Sequence, residues 1–502
     1  MKGPSISARV PFVIGLLLAL GPLASAAELT AGDVDDNLNF EAYSNWAERL
    51  RQNQTSLPAL NLTERVTVRV VDVAGSPVSR ALVSVTAAGE AEPRATLPAG
   101  TGGVLRLFPG IDLKGPARQF TLRASAPGGG ATSPDVSLDL DAPPADRTVT
   151  LALDGQVAGA PQALDFMIVL DTTGSMADEL EYLRDQLGSI VRNVTLEHAA
   201  VDIRFALVVY RDVGDEYVVR SFPFTSSLQS IQDDLDAQVA FDGGDFPEAM
   251  DSALFEAISA SWRGGNTARV ALVVADAPPH AANYGVALER ITQARGLGIQ
   301  LYALAASGVD SSAEYILRAG AALTGARYMF LTDDSGVGNA HAEPHVLCYE
   351  VTVLSNLISR VISSELEGRR VEAAPEAVLR TVGNVSGGVC LEASEGGETP
   401  VSPHVPAASG DFSAVSRATG GPPAPFFLGR SDAPDSPLAA MSGGSWAGLG
   451  LGLLVVGLAL VAAAGVGVKR LQKRAHAPGP AHPAPSPWEA PAEMPQGKPP
   501  SP

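Results

Sequence analysis

The stretch from Phe166 to Leu183 reads FMIVLDTTGSMADELEYL. It opens with an apolar run, continues with a cluster of carboxyl and hydroxyl side chains, and then takes the spacing of an amphipathic helix. A short run that is apolar throughout is typical of a strand buried on both faces of a parallel sheet. The stretch therefore predicts a strand that ends at Asp171, a polar loop, and a helix.

The same alternation of apolar strand and amphipathic helix recurs through residues 162–368. The strand-like runs are DFMIVL, RFALVVY, ARVALVVA and GIQLYALAA, and helical runs such as PEAMDSALFEAISASW separate them. A helix after each apolar strand indicates parallel pairing with helices on both faces. The sequence therefore predicts a doubly wound, mainly parallel α/β domain over residues 162–368. Ligands of such sheets bind outside the carboxyl ends of the strands.

Oxygen-bearing side chains gather at those strand ends. Asp171, Thr173 and Ser175 alternate along one loop, so their side chains can converge on one point. Asp276 follows the strand run VALVVA, and Asp245 lies in the loop FDGGDFPEAM before a helix. Convergent carboxylates and hydroxyls are the ligands that Mg²⁺, Ca²⁺ and Mn²⁺ prefer. The sequence predicts a site for Mg²⁺, or for Ca²⁺ or Mn²⁺, at this edge.

The motif DTTGSM after an apolar strand resembles the D-x-[ST]-x-S metal-ion-dependent adhesion site of von Willebrand factor type A domains. The resemblance extends over residues 162–368 and implies that Asp171, Thr173 and Ser175 are ligands from the first loop. It also implies that Asp276 is the acidic residue of a later loop. Many members have threonine where this chain has Asp245, and a third carboxylate would make the ion less attractive to an acidic partner. The runs YRDVGDEYVVRSFPFT and FLTDDSGVGNAHAEPH are similar to bacterial envelope members of the family.

Other interpretations of these polar residues stay open. The side chains from Asp171 to Ser175 could cap the following helix, because Asp, Thr and Ser are favoured at helix N-termini. Asp333 and Asp334 could hold calcium, although Asp-Ser-Gly is also common in turns. Imidazoles and a carboxylate could form a zinc site, with ordinary hydrogen-bonded loop residues as the simpler alternative; the side chains concerned are His280, His341, Glu343 and His345.

A separate β module precedes the α/β domain. Val66, Val68 and Val70 alternate with polar residues, and short strand-like runs with turn residues between them continue to residue 154. This pattern predicts a small β-sandwich over residues 64–154. The spacing VxDxxGxPVxxAxV resembles the Ig-like modules called carboxypeptidase regulatory-like domains, which implies a spacer or adhesive unit. Residues 27–63 are predicted to form a helical N-terminal segment.

The two ends of the chain have the composition of export and anchoring segments. Residues 1–26 combine Lys2 and Arg9 with a short apolar run and a small-residue cleavage pattern, which predicts a signal peptide, with an uncleaved anchor as the alternative. Residues 446–468 are uncharged and long enough for a transmembrane helix, and basic residues follow them. The prediction is a single-pass membrane protein with an extracytoplasmic N-terminal region, a flexible stalk over 369–444, and a proline-rich cytoplasmic tail over 469–502.

Cysteine content and net charge bear on disulfide formation and on the kind of partner that the chain binds. Cys348 and Cys390 are the two cysteines of the chain, and an exported chain would place them in a disulfide-permissive compartment, which predicts a bond between them. Two free buried thiols are the alternative. The formal charge of -20 argues against nucleic-acid binding, which requires basic patches, and is better suited to cations.

These features together predict a membrane-anchored, outward-facing protein that binds a divalent cation. Through the cation it would bind a protein or an acidic surface polymer, in adhesion or in assembly of a complex. A metal-dependent hydrolase is one alternative, although the chain has no GxSxG elbow, HExxH helix or phosphate-binding glycine loop. A metal-free envelope scaffold is another. The sequence predicts no catalytic residue.

Overall fold

A computed structural model describes residues 28–391, apart from residues 144–146, 158–159, 245, 336–340 and 342–343. The strands of this part are β1 (Thr30–Val34), β2 (Val66–Val71), β3 (Leu82–Ala87), β4 (Ala95–Pro98), β5 (Val104–Leu107), β6 (Gln119–Ser125), β7 (Val136–Asp139), β8 (Thr148–Ala152), β9 (Ala163–Asp171), β10 (Asp202–Tyr210), β11 (Val219–Thr225), β12 (Thr267–Ala275), β13 (Gln300–Ala305), β14 (Tyr328–Thr332), β15 (Tyr349–Val353), β16 (Arg380–Val382), β17 (Val385–Ser386) and β18 (Val389–Cys390). The helices are α1 (Phe40–Asn53), α2 (Pro109–Asp112), α3 (Ala177–Glu197), α4 (Leu228–Asp236), α5 (Met250–Ser259), α6 (Tyr284–Leu297), α7 (Ser311–Thr324) and α8 (Leu354–Glu367).

The large sheet has a parallel centre and antiparallel margins. Among the described residues its strand order is β11-β10-β9-β12-β13-β14-β1-β15-β16. Neighbours from β10 to β14 pair in parallel, whereas β11, β1, β15 and β16 pair antiparallel with their neighbours. The chain runs outward from β9 through β10 to β11, and outward in the other direction from β12 through β13 to β14. The topological switch point therefore lies between β9 and β12.

Helices cover the sheet in two groups. α3 packs against α4 and α8, and α6 packs against α5 and α7. Parallel crossovers that run in opposite directions from the switch point place their helices on opposite faces, because each crossover is right-handed. The strands between the two groups are buried along nearly their whole length, as their apolar composition predicted. The predicted α/β class with a large, mostly parallel sheet is confirmed in this part.

The N-terminal strand β1 is inserted between β14 and β15. Its five residues are all buried, and Gly32 lies between the rings of Phe330 and Tyr349. Asp33 forms ion pairs with Arg327 at 3.2 Å and Arg370 at 3.5 Å. The N-terminal segment, expected to be helical, thus contributes a strand to the large sheet before α1 begins.

Two smaller sheets form the predicted β-sandwich. Their strand orders are β5-β2-β8 and β4-β3-β6-β7, with β2 and β8 parallel. Val66, Val68 and Val70 are fully buried in a hydrophobic core separate from that of the large sheet. Hydrogen bonds join this module to the α/β domain, including Arg80 to Asn266 at 2.9 Å.

The region after α8 contains strands as far as Cys390, whereas a flexible stalk was predicted from residue 369. β16 extends the large sheet beside β15, and β17 and β18 form a hairpin. A disulfide joins Cys348 to Cys390 with Cα atoms 5.5 Å apart, the pairing that the sequence favoured. The N–H of Cys390 donates to Asn39 at 2.8 Å, so this hairpin also contacts the N-terminal segment.

The predicted fold class included a single transmembrane helix, and this part of the prediction is corrected. No helix in the described ranges is long and apolar enough to cross a membrane. The physical reason is that these helices are amphipathic: α3, with 21 residues, carries acidic and basic side chains along its length. Residues 446–468, for which the helix was predicted, lie outside the described residues, as do 1–26 and 469–502.

Candidate metal centre

The polar residues of the opening stretch lie at the switch point of the sheet. Asp171 is the last residue of β9, and Asp276 directly follows β12. The two strands are parallel neighbours in a register that pairs Leu170 with Val274, so both carboxyl groups lie at the same edge. The crevice at a switch point is where open α/β sheets bind ligands. The fold thus brings together two carboxylates that are distant in the sequence.

Short hydrogen bonds organise the loop between β9 and α3. Thr173 donates to Oδ1 of Asp171 twice, from its N–H at 2.9 Å and from its hydroxyl at 2.7 Å. The hydroxyls of Thr173 and Ser175 lie 3.4 Å apart, and Ser175 hydrogen-bonds Asp276. Four of the five predicted ligands therefore meet at one point.

The helix-cap interpretation of this loop is wrong. The residue at the N-cap of α3 is Met176, and no side chain accepts a hydrogen bond from the first turn there. Thr173 precedes a 3-10 turn over Gly174–Met176, again without a side-chain cap. The carboxyl and hydroxyl groups therefore face one another rather than the helix terminus.

The two carboxyl groups are buried and incompletely hydrogen-bonded. Within the described residues, Oδ2 of Asp171 and Oδ1 of Asp276 have no hydrogen bond of ordinary geometry, although the buried Tyr210 hydroxyl interacts with Asp171. Burial, with the charge of Asp276 adding to it, raises the pKa of Asp171 to about 7. Burial also raises the pKa of Asp276. A divalent cation would supply the charge and the oxygen contacts that both groups lack.

A third buried acid, Glu248, was not predicted. It is 3% exposed, its Oε2 has no hydrogen bond in the described part, and it lies just before α5. Burial, followed by the charges of Asp171 and other nearby acids, raises the pKa of Glu248 to about 9. A Cβ on Gly243 would lie 2.8 Å from Cβ of Thr173 and 3.0 Å from Oε1 of Glu248, so this loop packs directly on the first one.

Sequence reasoning chose Asp245 from that loop instead of Glu248. Asp245 lies outside the described residues. Glu248 was overlooked because a glutamate next to a helix start is ordinary helix chemistry. The sequence feature that could have indicated Glu248 is its position directly after Pro247 and just before the helix. Proline fixes its own backbone φ angle and so restricts the path by which the chain enters the helix.

Each of the histidines proposed as part of a zinc site contacts a different acid. His280 lies 2.7 Å from Asp212, and His345 lies 2.6 Å from Glu314. His341 lies 2.7 Å from Asp333, while Glu343 is outside the described residues. In the described ranges no cluster of three or more His, Cys, Asp or Glu side chains is arranged to hold a metal ion. These histidines therefore have the ordinary hydrogen bonds of loop residues. The candidate centre at Asp171 contains two hydroxyl groups, so it would not be found by a search for His, Cys, Asp and Glu side chains alone.

A second buried acid network lies beside the centre. Glu179, in the first turn of α3, accepts from the N–H of Ser307 at 3.0 Å and from its hydroxyl at 2.7 Å. His341 Nε2 lies 3.1 Å from the same hydroxyl. Asp334, a possible calcium ligand, is instead paired with Arg380 at 2.7 Å. This network joins α3 to the loop after β13.

Comparison with known proteins gives partial matches. An alpha-protein kinase, vwkA, of Dictyostelium discoideum is 27% identical over 139 residues, which are 28% of this chain and 22% of that protein. An ariadne-like RING finger protein, R811, of Acanthamoeba polyphaga mimivirus is 31% identical over 117 residues, which are 23% of this chain and 11% of that protein. The chain therefore covers less than a quarter of the length of either relative.

Two solved bacterial structures are also similar. BatB from Bacteroides thetaiotaomicron is 17% identical, with a TM-score of 0.30 and coverage of 40% of this chain and 98% of that one. An aerotolerance-related membrane protein from Bacteroides fragilis is 17% identical, with a TM-score of 0.23 and coverage of 42% and 92%. These scores are too low to carry an argument.

A family model gives the most direct result. The model of the von Willebrand factor A domain matches residues 165–316, a range that includes β9, β12 and the loops of the candidate centre. The Asp171 motif that first suggested this resemblance lies inside the match. The chain therefore contains a von Willebrand factor A domain.

Proposed function

We propose that the candidate centre binds a divalent cation, Mg²⁺ or alternatively Ca²⁺ or Mn²⁺, and through it an acidic group of a protein or surface-polymer partner. The observation that carries the proposal is the pair of buried carboxyl groups, Asp171 and Asp276, each with an oxygen that lacks a hydrogen bond in the described part. Two buried like charges require protons or a cation for compensation. Thr173 and Ser175 would add neutral oxygen ligands.

The loop before α5 supplies the remaining ligand in this proposal. Asp245 stays a predicted ligand, and Glu248 is a second candidate from the same loop. If a third carboxylate bound the ion in its charged form, the site would carry net negative charge and disfavour an acidic partner. We therefore propose that Asp171 and Asp276 provide the charge and that at most one acid of this loop contacts the ion through its neutral form or through water.

Apolar side chains around the centre favour a protein partner. Von Willebrand factor A domains typically mediate protein interaction. Val239, Phe241 and Phe246 are between 45% and 63% exposed, and they lie in the loop before α5 that also carries Glu248. Apolar and aromatic contacts beside one charged group are characteristic of protein interfaces. An acidic side chain flanked by apolar residues would fit this surface.

We propose binding rather than catalysis as the role of this centre. Such domains are generally non-catalytic interaction modules. The curated relatives are named as a kinase and a RING finger protein, and each matches over less than a quarter of its length. The two hydroxyls of the centre are engaged with the carboxylates, which suits them as ligands better than as nucleophiles.

Melting of the purified protein with and without cation tests the proposal. Millimolar Mg²⁺ should raise the melting temperature of the parent above that in EDTA, because a ligand at a hundredfold excess over its Kd adds about 2.7 kcal/mol. Asp171→Ala should remove this shift while leaving the protein folded, because the side chain lies at the edge of the sheet rather than in the apolar core.

Asp185→Ala is the matched control, since Asp185 is an exposed acid on α3 and should keep the full shift. A parent that shows no shift with Mg²⁺, Ca²⁺ or Mn²⁺ would leave the metal-free scaffold as the better explanation. An unchanged shift in the Asp171 variant would exclude this carboxylate as a ligand.

A further inference from the structure

A basic cavity lies on the other side of the α/β domain from the candidate metal centre. It has a volume of about 390 Å³ and is bounded by the β-sandwich, by Tyr302 near the start of β13, and by Arg327 just before β14. It therefore opens at the amino-terminal edge of the large sheet. Cavities of several hundred Å³ are large enough for small-molecule ligands.

Five arginines line this cavity, and Asp35 is the one acid among its lining residues. The chain as a whole has a formal charge of -20, so the concentration of guanidinium groups is a local feature. The lining arginines are Arg69, Arg106, Arg295, Arg327 and Arg370.

Three of these arginines already have carboxylate partners. Arg295 pairs with Asp112 at 2.8 Å, and Arg327 pairs with Asp33. Arg370 pairs with Glu372, and its buried Nη1 lies 3.5 Å from Asp35, a contact too long to be a hydrogen bond of ordinary geometry. These ion pairs form part of the wall of the cavity.

The other two arginines make no direct contact with an acid in the described part of the chain. Within the described ranges, neither Arg69 nor Arg106 has a hydrogen-bond or ion-pair partner for its guanidinium group. β2 and β5 are antiparallel, with Arg69 opposite Val104 and Arg106 opposite Thr67, so both arginines lie on the face turned away from the sandwich core. Burial lowers the pKa of Arg106; the negative charge of Asp35 opposes this shift, and the positive charge of Arg69 adds to it. Arg69 is exposed and Arg106 is half-buried, and a partly desolvated cation without a direct partner is costly unless an anion compensates it.

We infer that this cavity binds a phosphate group, either as the free anion or on a small phosphorylated molecule. Guanidinium groups bind phosphate and carboxylate oxygens through paired N–H donors. The guanidinium groups of Arg69 and Arg106 present several N–H donors to one ligand, and the oxygens of a phosphate group can accept from both arginines while carrying the compensating negative charge. The cavity also has room for a small organic group attached to the phosphate.

Calorimetric titration of the full-length protein tests the inference, with inorganic phosphate, glucose 6-phosphate and glucose as probes at constant ionic strength. At least one of the two phosphate probes should bind and glucose should not. Arg69→Gln and Arg106→Gln should each weaken binding about tenfold or more, because a hydrogen bond to a charged group contributes about 1.5–3 kcal/mol. Tighter binding of glucose 6-phosphate would identify a phosphorylated molecule, and equal or weaker binding would identify the free anion.

Two controls make the result decisive. Arg123→Gln, at an exposed arginine of the same sandwich that pairs with Asp135, should bind phosphate like the parent. Asp171→Ala should also bind phosphate normally, so failure of the metal proposal would not affect this one. Arg69→Gln is at an exposed position and should fold even if Arg106→Gln does not. Absence of binding to the parent at about 10 mM of either phosphate probe, or full binding by the Arg69 variant, would overturn the inference.

Discussion

Glu179 is a buried acid whose ionisation should make stability depend on pH. Burial, and secondarily its interaction with Asp178, raises the pKa of Glu179 from 4.5 to about 8, against the two hydrogen bonds from Ser307. Between these values the folded protein holds a proton that the unfolded chain has lost. The free energy of unfolding should therefore fall as pH rises from about 4.5 to about 8.

Glu179→Gln should flatten this dependence, because glutamine can still accept both hydrogen bonds from Ser307 and carries no charge. At about pH 8.5 we expect the variant to be more stable than the parent by about 1–3 kcal/mol, with a smaller difference near pH 5. Urea unfolding at the two pH values measures this. Glu181→Gln, at an exposed acid of the same helix, should behave like the parent. Identical pH slopes for the parent and the Glu179 variant would show that this carboxyl does not titrate in the window.

At the scale of single residues, the sequence predicted the geometry of Asp171, Thr173, Ser175 and Asp276 but not their environment. Their convergence follows from a general rule about the carboxyl ends of parallel strands, which the apolar runs made visible. Glu248 could not be identified this way, because its burial depends on how two loops pack, with Gly243 against Thr173. The pairing of each histidine with a separate acid depends equally on loop conformation.

The tight packing of β1 can be tested by a single substitution. A Cβ on Gly32 would lie 2.7 Å from ring atoms of Phe330 and 2.9 Å from Cδ2 of Tyr349, and both rings are buried. Gly32→Ala should therefore lower the free energy of unfolding by about 1–3 kcal/mol, as overpacking of a core does. Urea unfolding measures the change. Gly264→Ala is the control, because nothing lies within 4 Å of a Cβ there. Equal stability of the two variants would mean that β1 can shift within the sheet.

The C-terminal hairpin is the second element that can be tested directly. The disulfide closes a loop between residues 42 positions apart, and loops of this length typically gain about 3–4 kcal/mol from cross-linking. The double variant Cys348→Ser, Cys390→Ser should lose about this much stability. It should also be cleaved by protease between α8 and residue 391 while the large sheet survives. Reduced parent protein should behave in the same way. Protease resistance in the variant would show that the contact with Asn39 holds the hairpin without the bond.

Secondary structure was predictable wherever the sequence of an element itself shows an apolar run or an alternation of apolar and polar residues. β9, β10, β12 and β13 are apolar along their length, and the sandwich strands alternate, so both were visible in the sequence. β1, with the sequence TAGDV, has neither pattern, and its burial comes from partners in another part of the chain. The short strands after α8 are likewise defined by β15 and by the disulfide rather than by their composition.

For the whole molecule, the sequence predicted the order of the modules along the chain better than it predicted the residues at which each module begins and ends. The large, mostly parallel sheet is present as expected, but residues 162–368 do not contain all of its strands. β1 fills the space between β14 and β15, and Asp33 neutralises the buried Arg327. The interface between the two modules, with Arg295 reaching Asp112, also could not be inferred from either module alone.

The insertion of β1 has a consequence for synthesis of the protein. Thr30 bonds Thr332, so a strand made near the beginning obtains its neighbours only after about 300 further residues have been translated. At roughly 5–20 residues per second this takes on the order of 15–60 s. Until then β1 has neither of its neighbouring strands, and exposed strand edges favour aggregation. The sandwich can form early on the ribosome, whereas the large sheet can be completed only after its later strands have been made. Pairing between strands so distant in the sequence is slow. Folding should therefore depend on protection of the nascent chain.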